Sequence, residues 1–259
     1  MNNNIIYSTK PDISKIPGGW EPTSDHLPLL QKPLKVNIIK EVSENTLLLN
    51  NVFSSEECYE LISFMNRSPN FDSVSVQGRT DVKDDRIGSK RTTIWCPRLA
   101  EQFYGKLKNV LQNRMMTNFT ATDWWQGDVK RTNWIPIGIS PMLRFMKYDE
   151  GGQHYAHYDA GFIYPDDNYR TLMSYIVYLT TNENGATRFI YDGQEGFYTW
   201  TRNHDDWTRE VRKDEILFES VPVCGNVLIF DHRICHDVEK YTGNNPRIII
   251  RGDVIYHSE

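Results

Sequence analysis

From Pro136 to Tyr256 the chain is broken into short runs rich in Ile, Val, Tyr, Phe and Thr, each closed by turn residues. The runs are Met142–Tyr148, Thr171–Thr181, Ala186–Tyr191, Gly225–His232 and Pro246–Tyr256. β-Branched and aromatic residues at this density suit a pleated, partly buried surface, so these runs read as strands. Several short strands at this spacing suggest a β-sandwich or barrel. The charged, turn-rich stretch 192–215, carrying Trp200 and Trp207, interrupts them. It reads as an inserted hairpin or loop, long enough to serve as a lid.

The preceding segment, 36–133, reads as supporting strands and helices. Val36–Ile39 and Thr46–Leu49 are strand-forming. Ser54-Ser55-Glu56-Glu57 is a capping box, with Phe53 placed to staple onto Cys58. Cys58, Leu61, Ile62 and Met65 then recur at helical spacing as one apolar stripe. A second helix opens at Pro97, a favourable first-turn residue, and carries Leu99, Phe103, Leu107, Val110 and Leu111 on one side. Residues 1–35, punctuated by Pro11, Pro17, Pro22, Pro28 and Pro33, read as an irregular arm. The expected class is mainly β with flanking helices (α+β), one integrated domain whose core is 134–259. Trp124, Trp125 and Trp134 read as core or loop anchors rather than a stacking platform.

A chain of 259 residues is long enough for one sizeable core. Its net charge of -5 gives no general attraction to nucleic acid or anionic lipid. Cys58, Cys96, Cys224 and Cys235 form no paired metal spacing and suit a reduced, cytoplasmic setting. No signal-peptide pattern is visible from Met1 to Trp20, and no run approaches the ~20 apolar residues of a membrane span.

Chemistry is concentrated at His157-Tyr158-Asp159. On an extended strand, residues at i and i+2 share a face, so this imidazole and carboxylate converge. His236 brings a second imidazole from a distant strand. Two His and one carboxylate on one face of a metal, with other positions open, suit non-haem Fe(II) and oxygen chemistry. Arg247, eleven residues beyond His236, offers a rigid fork to a carboxylate co-substrate. His232 competes with His236 if the strand ends sooner. His154 precedes His157 by three and on a regular strand faces the opposite side.

These residues sit in a longer pattern. Ser140-Pro141-Met142-Leu143-Arg144-Phe145-Met146-Lys147-Tyr148, then Gly152-Gln153-His154-Tyr155-Ala156-His157-Tyr158-Asp159, resembles the first half of a prolyl-4-hydroxylase-type 2-oxoglutarate oxygenase. Tyr175–Leu179, Gly185–Phe189, Pro222–Phe230 and Arg247–Tyr256 are similar to its second half, so the resemblance spans about 135–256. It implies a double-stranded β-helix, a jelly-roll or cupin-like barrel, with Fe(II) at His157, Asp159 and His236. It implies 2-oxoglutarate and O2 as co-substrates, with Arg247, Tyr148 and Tyr178 in the 2-oxoglutarate pocket and ascorbate as a stimulant. The implied reaction hydroxylates an unactivated C–H bond and releases succinate and CO2. Related halogenases carry a small residue at the carboxylate position, so Asp159 argues for hydroxylation or a similar oxidation.

Strand parity turns Arg144 toward the same face as Tyr148, and Arg251 toward that of Arg247. Arg251 is therefore a second candidate for the distal carboxylate, Arg247 being favoured by its distance beyond His236; Arg144, Arg188 and Arg251 are also substrate-binding candidates, or structural ion-pair partners. The substrate is expected to be a small molecule or amino acid, or a protein residue such as proline. A nucleic-acid dealkylase on the same barrel is the second reading, opposed by the acidic balance. A non-catalytic metal- or 2-oxoglutarate-binding module is the third; it would lack a ligand or the basic anchor.

Overall fold

The computed structural model describes residues 9–16, 18–23, 27–31, 36–43, 45–69, 72–73, 86–117, 133–166, 168–193 and 209–258. The strands are β1 (Gly19–Trp20), β2 (Asn37–Ser43), β3 (Thr46–Asn50), β4 (Asp72–Ser73), β5 (Arg86–Trp95), β6 (Met116–Thr117) and β7 (Asn133–Ile139). They continue with β8 (Met142–His157), β9 (Tyr169–Tyr178), β10 (Thr187–Ile190), β11 (Ile216–Ser220), β12 (Val227–Asp231), β13 (His236–Val238) and β14 (Arg247–Ser258). Two α-helices, α1 (Ser55–Met65) and α2 (Pro97–Leu111), lie between the early strands.

The strands join in the order β11-β10-β13-β8-β14-β9-β12-β3-β2, with β5 also on β8 and β7 also on β14. Pairing is antiparallel apart from β1 on β5. The sheet curls until its two ends approach, with Lys40 Nζ of β2 4.8 Å above the Phe218 ring of β11. The result is a nearly closed antiparallel barrel, the double-stranded β-helix expected from the resemblance. The supporting strands are continuous with this barrel, since β3 pairs with β12 and β5 with β8.

Side-chain alternation gives the sheet two buried faces. Phe145, Val177, Ile229 and Ile250 point outward and pack with Leu61 and Phe64 of α1 and Phe103 and Leu107 of α2. Met146, Ile176, Leu228 and Ile249 point inward with Phe189, Phe218 and Phe230 to fill the barrel. Phe103 is fully buried, edge-on to Phe53 at 5.1 Å and Tyr175 at 6.0 Å; truncation to Ala costs about 3–5 kcal/mol. The capping box of α1 forms as expected, Ser54 Oγ accepting from Glu57 N at 3.2 Å and Glu57 Oε2 from Ser54 N at 2.9 Å. Glu57 also receives Lys106 Nζ from α2 at 2.9 Å and Gln31 N from the arm at 2.7 Å, so one carboxylate fastens three segments.

Two departures from the sequence reading matter. Strand β5 was not expected, because Arg86, Lys90 and Arg91 interrupt any apolar alternation. Its buried half, Thr92-Thr93-Ile94-Trp95, holds it against β8. Strand β8 continues beyond Tyr148 to His157, turning at Gly151, whose φ of 81° suits a residue without Cβ. Trp134 is fully buried in the core, whereas Trp124, Trp125, Trp200 and Trp207, with most of the 192–215 insert, lie outside the described residues. No helix among the described residues is long and apolar enough to cross a membrane.

Candidate metal centre

His157 ends β8, Asp159 follows two residues later, and His236 opens β13 directly opposite His157 in the ladder. The three side chains offer ligand atoms that all lie within 4.8 Å of one another, a set that could hold one metal ion. Asp159 Oδ1 is 3.8 Å from His157 Nε2, and Oδ2 is 3.7 Å from His236 Nε2. Both imidazoles are oriented from behind. His157 Nδ1 is 2.8 Å from Tyr155 O and His236 Nδ1 is 3.0 Å from Ile234 O. A carbonyl accepts only, so these contacts place the proton on Nδ1 and leave the Nε2 lone pairs facing the centre. Burial lowers the pKa of His236 and keeps it neutral, the form that binds metal.

Asp159 is buried, which alone would raise its pKa. The Arg251 guanidinium beside it outweighs burial and holds it ionised, well below the usual carboxylate range. Its oxygens are fixed separately: Ser174 Oγ donates to Oδ2 at 2.5 Å, and Arg251 Nη2 contacts Oδ1 at 2.9 Å. Arg251 also meets Asp253 Oδ1 at 3.1 Å, and Asp253 Oδ2 receives Arg144 Nη1 at 2.9 Å. His232 faces Asp253, its Nε2 3.5 Å from Oδ1, and stays outside the triad.

His154 departs from the parity expected of it. It stacks on His157 with ring centroids 3.6 Å apart and lines the same cavity. The cause is a bulge: His236 and Val238 of β13 pair with His157 and His154 of β8, two steps against three.

Arg247 lies deeper, on the inner face of β14 opposite Tyr148. It is fully buried, 4.8 Å over the Tyr148 ring and 5.9 Å from that of Tyr178. Nη2 donates to Thr187 Oγ1 at 3.1 Å, while Nε and Nη1 have no partner among the described residues. Tyr178 Oη is 3.1 Å from Thr187 Oγ1 and 3.0 Å from Ser220 Oγ. Burial pushes this phenol up, against the opposing charge of Arg247, and keeps it a neutral donor. Arg188 is not brought to the cavity; it forms a two-point pair with Asp237, Nε to Oδ1 at 2.9 Å and Nη2 to Oδ2 at 2.5 Å. Arg91, on the strand that sequence reasoning missed, does line it. The Thr92–Trp95 run was the available signal.

A sequence model of the phytanoyl-CoA dioxygenase (PhyH) family matches residues 46–249. No curated protein matches the sequence. A prolyl hydroxylase from Trichoplax adhaerens, solved with a hypoxia inducible factor oxygen degradation domain peptide fragment, matches with TM-score 0.50 and 14% identity over 83% of this chain and 84% of that one. HygX from Streptomyces hygroscopicus, solved with nickel and 2-oxoglutarate, matches with TM-score 0.48 and 14% identity over 83% of each chain. A viral collagen prolyl hydroxylase from Paramecium Bursaria Chlorella virus-1 matches with TM-score 0.46 and 15% identity, over 82% of this chain and 96% of that one. At 14% identity the likeness to the Trichoplax structure shows the fold alone.

The protein is of the 2-oxoglutarate-dependent Fe(II) dioxygenase class. Within that class the chain belongs to the phytanoyl-CoA dioxygenase (PhyH) family. The coarser class implied by the resemblance, a 2-oxoglutarate-dependent Fe(II) oxygenase, is borne out.

Proposed function

We propose that the protein hydroxylates an unactivated C–H bond, with Fe(II) held by His157, Asp159 and His236 and 2-oxoglutarate anchored by Arg247. The observation that carries the reading is the Arg247 guanidinium, fully buried with two nitrogens lacking a partner among the described residues. A buried, unpaired charge costs several kcal/mol. An anion that reached this depth would remove the cost, and a planar carboxylate matches the guanidinium fork. The donor set fits the metal equally well: two neutral imidazoles and one carboxylate, hard enough for Fe(II) and leaving positions open.

When bound, iron and 2-oxoglutarate supply the oxidising power, O2 being consumed as the keto acid goes to succinate and CO2 and the substrate gains one oxygen atom. The chain's own work is orientation and exclusion of water. Ser174 and Arg251 hold the two Asp159 oxygens, so the carboxylate meets a metal in one orientation. Tyr155 and Ile234 carbonyls lock both imidazoles by tautomer and angle. Tyr148, Tyr178 and Thr187 wall the distal-carboxylate site and keep the Arg247 charge out of water. Small molecules, amino acids and protein residues such as proline all present C–H bonds of the required kind.

The test is succinate release. Protein loaded with Fe(II), given 2-oxoglutarate, O2 and ascorbate as stimulant, forms succinate slowly without substrate and faster with it. The His157→Ala variant forms none. Equal succinate from wild type and His157→Ala overturns the reading.

A further inference from the structure

The cavity beside the triad is walled by arginines. Arg91 of β5, Arg144 of β8 and Arg251 of β14 all line it. Register sets Arg251 directly opposite Arg144, and Arg91 opposite Met146, the next inward position on β8. Like charges directly across a ladder repel. Here Asp253 separates them, its buried carboxylate taking Arg144 Nη1 on one oxygen and Arg251 Nη2 on the other. Two guanidinium groups thus share one carboxylate.

The arginines are not equivalent. Arg251 Nη2 is committed to Asp159, Asp253 and Ser174. Arg144 gives one nitrogen to Asp253 and makes no other side-chain bond among the described residues. Its side chain is 18% exposed, on the cavity side. One arm of the fork is anchored and the side chain lines the cavity, so its orientation is already fixed when a ligand arrives.

We propose that the substrate is a small organic anion whose oxyanion head, a carboxylate or a phosphate, docks on Arg144 with Arg91 alongside. This inference rests on the oxygenase reading, because it assigns Asp159 to the metal and leaves Asp253 as the counter-charge to Arg144 and Arg251. A neutral substrate, such as an extended peptide, would displace water from the Arg144 guanidinium and return only amide dipoles, an unfavourable exchange. An oxyanion replaces that water with charge-assisted hydrogen bonds. The arginine then fixes the head, and the carbon a few bonds away is presented to the metal centre.

The experiment is ligand binding to protein loaded with Ni(II) and 2-oxoglutarate, which does not turn over. Small carboxylates, their phosphate-ester counterparts, their neutral amides and a proline-containing peptide are compared by calorimetry. The expected result is binding by at least one oxyanion series, weakened about tenfold to a hundredfold in Arg144→Gln, with 2-oxoglutarate affinity unchanged. Carboxylates binding without phosphates, or the reverse, identifies the head group. Arg144→Gln combined with Asp253→Asn removes both halves of the buried pair and serves if the single variant does not fold. The proposal is overturned if only the amides or the peptide bind, if no oxyanion binds, or if Arg144→Gln loses 2-oxoglutarate instead. Failure of wild type to bind 2-oxoglutarate at all is a separate outcome and overturns the oxygenase reading beneath it.

Discussion

Arg247 Nη2 donates to Thr187 Oγ1 at 3.1 Å, and that is the one hydrogen bond its buried guanidinium makes among the described residues. A guanidinium buried with so few hydrogen bonds is costly to the fold. Replacing a buried, under-paired charge with an apolar side chain often stabilises by about 1–4 kcal/mol. Arg247→Met is expected to raise the thermal midpoint of the protein free of 2-oxoglutarate while abolishing the rise that 2-oxoglutarate gives wild type. Calorimetric melts with and without 2-oxoglutarate check both halves.

Ser174 reaches Asp159 Oδ2 at 2.5 Å without belonging to the triad. Partners of this kind typically account for about 10–100-fold in metal affinity. Ser174→Ala is expected to weaken Ni(II) or Fe(II) binding within that range and to cost the metal-free protein about 1–3 kcal/mol, because a buried Asp159 oxygen loses its donor. Competition with a chelator measures the first.

A pH effect follows from His236, whose pKa burial lowers in the folded protein. The unfolded chain binds this proton near pH 6.5 and the folded chain does not. Stability from this group is thus complete above about pH 6.5 and lost as pH falls toward the folded value. Asp159 and Asp253 are depressed as well, through the arginines that outweigh their burial, but their share is lost only below about pH 4. Urea melts of metal-free protein between pH 7 and 5 should therefore slope downward, and His236→Gln should flatten the slope.

Cys224 is partly exposed beside buried Cys58, whose hydrogen bond lowers the Cys224 thiol. Iodoacetamide at neutral pH should label Cys224 before Cys58, Cys96 or Cys235, as read by peptide mass spectrometry. Cys58→Ala should slow that labelling.

The triad was legible because strand parity is simple: His157 and Asp159 share a face, and the Val227–Asp231 strand sets where His236 begins. His154 was misplaced for the converse reason. Parity survives only while the ladder is regular, and the bulge between His154 and His157 leaves no mark that one sequence reveals. Strand β5 went unread because Arg86, Lys90 and Arg91 interrupt any apolar alternation along it, and with it went Arg91. That Arg144 and Arg251 face inward could be read from alternation, but that one carboxylate, Asp253, holds both could not. That depends on the register of β8 against β14, a long-range fact.

The central claim is a metal centre that chelates 2-oxoglutarate against Arg247. It is tested most directly by adding Fe(II) and 2-oxoglutarate to metal-free protein under anaerobic conditions and watching for the visible charge-transfer band of the chelate. The account predicts a band in wild type, none in His157→Ala, and in Arg247→Ala a band that needs far more 2-oxoglutarate. No band in wild type at saturating Fe(II) and 2-oxoglutarate would contradict it.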